Sequence, residues 1–450
     1  MKPFLLYTLF GLFMFQANAQ FSGANIIDDD PDTEGIRHMV AADFNNNGFN
    51  DIVVVQAGSS DRVVIYRNSG NADFTKEIID HPIDDPVFIN YGDFNSNGFK
   101  DLLVVTQSNS EIFFYENIQG VFQSRVQLGS VQSFGKSIAV ADFDGDGDLD
   151  FVVIGQHSID FYRNDGNANF TMEHILTTGT SPNILECFSM VLVDVNGNGI
   201  PDVVTGETIG LVAYINDGNA VFSPHTISEV SHHTVTAVDA FDANGNNIPD
   251  LVFLSHSEVG IYLNQSSGSN IEYDYHGQLF SVVANSISYI YTGDFTQNGS
   301  DDLYFTSQGK AYYTENESGM VFSANEALHT DPDLFIWTPL AADITGNGIN
   351  ELIWAAAGGT LAYHTFENLS LSAVEFSGYL YPNPVDRNIN ITTPNPVNAL
   401  INVYTVSGKL VLSTEKMLPA SLDLEALDTG VYILNIQTEA GSFNRKVIKR

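Results

Sequence analysis

Along most of this chain, apolar and polar positions alternate in short runs, and the runs recur in a fixed order. A short apolar run leads into a loop rich in Asp, Asn and Gly, and a β-branched run follows, as in Asp51-Ile52-Val53-Val54-Val55. A third run ends in Tyr before an Asn/Gly turn, as at Tyr66-Arg67-Asn68-Ser69-Gly70, Tyr162-Arg163-Asn164-Asp165-Gly166 and Tyr214-Ile215-Asn216-Asp217-Gly218. A fourth opens with Phe, at Phe74, Phe122, Phe170, Phe222 and Phe322. Short runs of this composition between turn residues predict strands, not helices.

The unit occurs seven times: AADFNNNGFNDIVVV at Ala41, YGDFNSNGFKDLLVV at Tyr91, VADFDGDGDLDFVVI at Val140, LVDVNGNGIPDVVTG at Leu192, AFDANGNNIPDLVFL at Ala240, TGDFTQNGSDDLYFT at Thr292 and AADITGNGINELIWA at Ala341. The leading Asp falls at 43, 93, 142, 194, 242, 294 and 343, at intervals of 50, 49, 52, 48, 52 and 49. Four short strands per repeat of this length predict the blade of a propeller. The seventh repeat lacks its fourth strand, for after Tyr363 the chain changes character at Phe366-Glu367-Asn368-Leu369-Ser370. The missing piece lies at the other end, where Phe21-Ser22-Gly23-Ala24-Asn25-Ile26-Ile27 matches Phe222-Ser223-Pro224-His225-Thr226-Ile227. The expected fold class is all-β: a seven-bladed β-propeller closed by the N-terminal strand, which removes an exposed sheet edge, followed by a small C-terminal β-sandwich.

With 44% hydrophobic and 12% aromatic residues, the chain has the means to build a core. Its 55 acids against 17 bases, a net charge of −38, repel phosphates and exclude nucleic acid as a partner. Lys2, the apolar run Phe4 to Phe15 and Ala17-Asn18-Ala19 form a secretory signal over residues 1–19, cut before Gln20. No later run is apolar for long enough to span a bilayer, so no transmembrane segment is expected in the mature chain. Cys187 is the single cysteine and sits in the apolar run Cys187-Phe188-Ser189-Met190-Val191-Leu192-Val193, which predicts a buried structural thiol. An exported chain without disulfides needs another source of rigidity.

The Asp-rich loops supply a candidate. Each spans nine residues, with oxygen-bearing side chains at the first, third, fifth and ninth positions. The sets are Asp43, Asn45, Asn47 and Asp51; Asp93, Asn95, Asn97 and Asp101; Asp142, Asp144, Asp146 and Asp150; and Asp194, Asn196, Asn198 and Asp202. Asp242, Asn244, Asn246 and Asp250, then Asp294, Thr296, Asn298 and Asp302, then Asp343, Thr345, Asn347 and Glu351 complete the seven. Oxygen ligands at alternate positions of a tight loop converge on one hard cation, and calcium, up to seven ions at one per repeat, is the expected cofactor. The residue after the fifth position is Gly48, Gly98, Gly147, Gly199, Asn247, Gly299 or Gly348, types that tolerate a left-handed backbone. Sixteen acidic ligand positions repel one another without metal, so the ions are expected to hold the fold together. Repeat three is expected to bind best, and Thr296, Thr345 and Glu351 to weaken repeats six and seven.

On these motifs, residues 20–366 resemble FG-GAP/VCBS repeats, the type found in integrin α-subunit propellers and in some fungal lectins. The resemblance implies a seven-bladed propeller, one cation per loop, and ligands bound mainly on the face opposite the calcium loops. The Phe-Gly/Gly-Ala-Pro signature itself is degenerate here.

Composition shifts near residue 370. Residues 20–378 hold 9 bases and 49 acids, whereas residues 379–450 hold 7 bases and 6 acids. Residues 367–378 read as a linker. The segment beyond opens with Tyr381-Pro382-Asn383-Pro384, turns at Ser407-Gly408-Lys409, continues through Gly430-Val431-Tyr432-Ile433-Leu434 and ends in Lys446-Val447-Ile448-Lys449-Arg450. Its alternation predicts the β-sandwich. It resembles the type A sorting domain of the type IX secretion system of Bacteroidetes. That resemblance implies the secretion machinery as a partner, passage across the outer membrane, and an extracellular or outer-membrane-surface destination.

Catalytic motifs are not found: the chain has no HExxH, no G-x-S-x-G and no Walker A, and Gly129 to Ser137 only approximates the last. No residue is assigned a catalytic role. Inter-blade loops are where a ligand is expected, with Phe88, His232-His233 and Phe335-Ile336-Trp337 as candidates. The leading functional reading is a binding or adhesion module for an extracellular glycan or protein ligand. The alternatives are a polysaccharide-degrading lyase or hydrolase on a propeller scaffold, and a structural surface component.

Overall fold

The computed structural model describes residues 20–21, 24–30, 34–58, 61–131, 134–177, 186–229, 234–281, 289–307, 309–317, 320–323, 326–328, 336–367, 380–381, 385–392, 396–405, 409–438 and 441–450. The secretory signal at 1–19, residues 368–378 of the linker, Pro382-Asn383-Pro384 and Ser407-Gly408 lie outside them. Contacts separate a repeat unit, Phe21–Phe366, from a C-terminal unit beginning at Glu367. Among the described residues there is no helix.

The repeat unit contains seven four-stranded antiparallel sheets in this set, each built in chain order within one repeat except the last. In repeat one the strands are Ile36–Ala42, Asp51–Gln56, Arg62–Asn68 and Phe74–Asp80. The second strands are buried at every position, as in Asp51–Gln56, Asp101–Thr106, Asp202–Glu207 and Glu351–Ala356. A strand covered on both faces needs a continuous apolar run, which is what Ile52-Val53-Val54-Val55 supplies. The sheet of repeat seven takes its fourth strand from the N-terminus: Asn25 pairs with Tyr363, Ile26 with Ala362 and Asp28 with Leu361.

Two fourth strands depart from the expected Phe start. In repeat two, Phe122 pairs with Asn117 in a short hairpin, and Val126–Ser130 is the fourth strand. In repeat six, Phe322 forms an isolated bridge with Asn316, and Glu326–Ala327 is the fourth strand. The Phe is kept for packing: Phe122 meets Phe44 edge-on, with ring centroids 5.7 Å apart, while the strand starts later.

Apolar clusters lie between successive sheets. One joins Val53 and Val55 of repeat one to Leu102 and Val104 of repeat two, and another joins Ile52 and Val54 to Ile344, Ile353 and Leu361 of repeat seven. First strands pack on first strands: Ile36–Ala42 meets Pro86–Gly92, which meets Ser137–Ala141, and so on to Ile290–Gly293, while Ile336–Ala342 meets Ile36–Ala42. In five of the seven first strands the register skips one residue at the same place, at Arg37, Val87, Phe188, Thr236 and Trp337. Such bulges bend a strand and re-aim the side chains around them.

The C-terminal unit has a three-stranded sheet of Leu380–Tyr381, Asn388–Ile391 and Ala420–Asp423. Its four-stranded sheet orders Leu410–Leu418, Val397–Thr405, Gly430–Thr438 and Gly441–Lys449. Ile389, Ile391 and Leu422 from the first meet Ile401, Val403, Leu434 and Val447 from the second in one core, giving a small β-sandwich.

Candidate functional site

The seven loops share one construction. The leading Asp folds the loop around its own carboxylate: Asp43 accepts the Asn47 N–H at 3.1 Å and the Gly48 N–H at 2.8 Å. Asp194 and Asp343 repeat the pattern with Asn198 and Gly199, and with Asn347 and Gly348. The residue after the fifth position has positive φ in every repeat, from Gly147 at 97° to Asn247 at 62°. The residue after the third position is also left-handed, including Asn46, Ser96 and Gln297, which the sequence reading did not single out.

In repeat three, Asp142, Asp144 and Asp146 converge, with one carboxylate oxygen of each within 4.8 Å of the others. Among the described residues this is the one cluster of three such groups, because the other loops carry Asn or Thr at these positions. Arg163 ion-pairs with Asp144. The fifth-position Asn also works within the fold: Asn47 Oδ1 accepts the Phe49 N–H, and its Nδ2 donates to the Asn68 carbonyl at 2.9 Å.

The ninth residue is set apart from the exposed loop. Asp51, Asp101, Asp150, Asp202, Asp250 and Asp302 are wholly buried, and Glu351 nearly so. Each takes backbone donors: Asp150 Oδ2 accepts from Phe143 N at 3.1 Å, and Oδ1 from Asn164 N at 2.7 Å. Burial outweighs these donors and pushes the carboxyls up, Asp101 and Asp302 to about 7, Asp150 and Asp202 to about 6. Asp51, Asp250 and Glu351 shift in the same direction for the same reason. Thr296 is buried, and Thr345 Oγ1 donates to Glu351 at 2.9 Å, so that hydroxyl is engaged inside its own loop.

The residue that sequence reasoning missed is the Asn two places after the third-strand Tyr. Its backbone N–H meets the ninth-position carboxylate, and its Nδ2 reaches the preceding repeat. Asn117 donates to Phe44 O, Asn164 to Phe94 O, Asn216 to Phe143 O and Asn264 to Val195 O, at 2.8, 2.8, 2.8 and 3.0 Å. Asn68 donates to Ile344 O at 2.7 Å, tying repeat one to repeat seven. A recurring Asn after the Tyr was the available signal, and it read only as a turn.

A cavity of about 1900 Å³ runs along the first strands, from Gln107, Glu186 and His256 to Asp93 and Lys100 at the loop end. Phe88 lies on its wall and stacks on His38, with centroids 3.6 Å apart, and burial drives the His38 imidazole down to about 3, so it is neutral. Tyr289 OH donates to Arg37 O at 3.1 Å beside this stack. Of the other ligand candidates, Ile336 is buried, while His232, His233, Phe335 and the Trp337 side chain lie outside the described residues. Cys187 is buried with its thiol pushed up by burial, as a structural thiol should be.

Residues 43–104, 93–153, 142–205 and 194–253 match the FG-GAP-like repeat family, each window opening on a leading Asp. Residues 379–450 match the secretion system C-terminal sorting domain. This is an FG-GAP-repeat chain with a sorting tail. The tail marks export by the type IX system to the cell surface or the medium and implies contact with that machinery. No helix among the described residues is long and apolar enough to cross a membrane. Two solved structures are similar. One is an Agrocybe aegerita lectin that recognises non-reducing terminal N-acetylglucosamine, 17% identical with TM-score 0.50, covering 66% of this chain and 81% of that one. The other is BBS1N in complex with ARL6DN, 15% identical with TM-score 0.51, covering 76% and 96%. At these identities the likeness is of fold alone, and it makes the repeat unit of this FG-GAP chain propeller-like.

Proposed function

We propose that this FG-GAP protein is a secreted, calcium-stabilised, non-catalytic binding module for an extracellular glycan. Its seven sheets form a ring of seven blades, closed where the N-terminal strand joins repeat seven. The Asn68 bond to Ile344 O and the cluster joining Ile52 to Ile353 support closure. One calcium ion sits in each loop on the first, third and fifth residues, with the buried ninth carboxylate beneath. The convergence of Asp142, Asp144 and Asp146 supports this most directly. The observation that carries the binding reading is the large cavity along the first strands, with aromatic and polar groups on a wall supplied by many repeats. A lectin of similar fold recognises a sugar, which supports a glycan as the ligand to test first.

The mature chain, probed on a broad glycan panel, binds a defined sugar with calcium present, loses it in chelator, and leaves the sugar intact. Release of shorter products would replace this reading with the degradative one, and no binding to any sugar would end it.

A second test concerns Arg163, whose ion pair with Asp144 occupies a carboxylate that calcium needs. Arg163→Ala is expected to raise calcium affinity at loop three severalfold, read by competition with a calcium-sensitive dye. Unchanged or weaker affinity would show that Arg163 does not compete with the ion.

A further inference from the structure

Residues 20–378 carry 9 bases and 49 acids, yet the cavity wall carries three of each: Arg37, Lys100 and Lys136 against Asp93, Glu186 and Asp239. One base in three faces this space, but only about one acid in sixteen. All three acids are engaged internally, Asp93 by Asn97 N and Gly98 N, Asp239 by Thr292 N and Oγ1, and Glu186 by Gln156 Nε2. Elsewhere in the unit Arg67, Lys76, Arg125 and Arg163 pair with acids, and Arg62 donates to Gln56. The cavity is therefore the part of a strongly acidic surface where positive charge is gathered.

The wall is also uneven. Five residues before the leading Asp, repeats one, two and six place His38, Phe88 and Tyr289, which form the aromatic group beside Arg37. At the same position repeats three, four and five place Ser137, Ser189 and Ala237, leaving room. One residue earlier stand Lys136 and Phe188, from neighbouring repeats, with the Lys136 ammonium over the Phe188 ring, 5.2 Å from its centroid. Gly135 is seated so tightly that a Cβ would lie 2.3 Å from Val105 Cγ2, which fixes the backbone that presents Lys136.

We propose that this recess binds a glycan through a single carboxylate on a sugar ring, received by Lys136, with Phe188 as the surface on which the ring stacks. The proposal rests on the glycan reading above and names the site and the sugar class. An aromatic ring takes the apolar C–H face of a pyranose, and the flexible Lys136 side chain, whose ammonium lies over that ring, swings to its edge to take an equatorial carboxylate. The field of the whole chain, at net charge −38, repels densely charged polymers, so the ligand is a mostly neutral glycan bearing isolated uronate residues.

The test is calorimetry of the mature chain, with calcium in excess over sugar. The probes are a xylo-oligosaccharide carrying one glucuronate branch and the unbranched oligosaccharide of equal length. The branched probe is expected to bind about tenfold tighter, as befits a charge-assisted hydrogen bond at a partly dry site. Lys136→Met should erase that preference while leaving the weaker, unbranched-level binding; Phe188→Ala should weaken both probes. Lys310→Met, at an exposed lysine away from the cavity, should change neither, and all variants should melt with the parent. Equal affinity for the two probes, or a preference that survives Lys136→Met, overturns the proposal. If the glycan panel yields only neutral ligands, the glycan reading stands and this inference falls; if it yields none, both fall.

Discussion

Chelating calcium lowers the melting temperature of the mature chain by more than about 10 °C, and returning calcium restores it. The expectation follows from charge. Seven loops hold sixteen acidic positions in the proposed calcium sites, and their ninth-position carboxylates are buried under the loops, with backbone donors and a few side-chain ones only partly offsetting desolvation. At calcium ten to a hundred times above a Kd of about 10⁻⁴–10⁻³ M, each loop gains about 1.4–2.7 kcal/mol. Seven independent loops would gain roughly 10–19 kcal/mol, comparable with the whole net stability of an ordinary domain.

The pH dependence fixes the sign of the effect. Asp101 and Asp302 near 7, and Asp150 and Asp202 near 6, lie above the ordinary carboxylate range because burial disfavours their charge. In chelator the folded chain thus binds more protons than the unfolded one between about pH 4 and 7. Stability is greatest below the unfolded value and declines as pH rises through 6 to 7. With calcium the trend reverses, since the ion needs the ionised form, and calcium affinity falls as pH drops below about 6. Thermal melts across this range, with and without chelator, check both trends. Identical melting in the two buffers would remove calcium from the account of the fold.

Much of this could be read from one sequence, and the reasons are local. A loop closed by its own leading Asp, a left-handed residue after the fifth position, and a buried apolar strand directly after the loop all lie within about fifteen residues, so each repeat spells them out. Spacing also assigned the N-terminal strand to repeat seven, because Asn25-Ile26-Ile27 keeps the pattern of the strands it replaces. What the sequence hid depends on residues distant along the chain. Lys136 and Phe188 meet across repeats three and four. Arg163 reaches back to Asp144 from the third strand, so the loop with the most charge already holds one counter-charge. Phe122 shows a limit of another kind: its packing role persists while the strand it was expected to start begins at Val126.

Asn164→Ala is the substitution expected to do most damage from a single polar side chain. Asn164 is wholly buried. Its Nδ2 donates to Phe94 O at 2.8 Å in repeat two and to Leu149 O at 3.1 Å in its own repeat, while Oδ1 accepts the Gly166 N–H at 3.1 Å. Alanine leaves two carbonyls and one amide without these partners, and at about 1–3 kcal/mol per unsatisfied buried group the loss is about 3–5 kcal/mol once part of it relaxes. An exposed neighbour, Asn169→Ala, should stay within about 0.5 kcal/mol of the parent. The position of the bond adds a second readout. Phe94 follows the leading Asp93 of loop two, and the Asn164 backbone N–H holds Asp150 of loop three, so one residue braces two of the proposed calcium loops. Asn164→Ala should therefore weaken calcium at loops two and three and leave distant loops unchanged. The same arrangement recurs at Asn117, Asn216 and Asn264, and at Asn68 it joins the last repeat to the first. Loops braced in series should fill cooperatively, so a calcium titration of the parent should be steeper than that of Asn164→Ala. Equal steepness and equal melting would show that these asparagines only fill a turn.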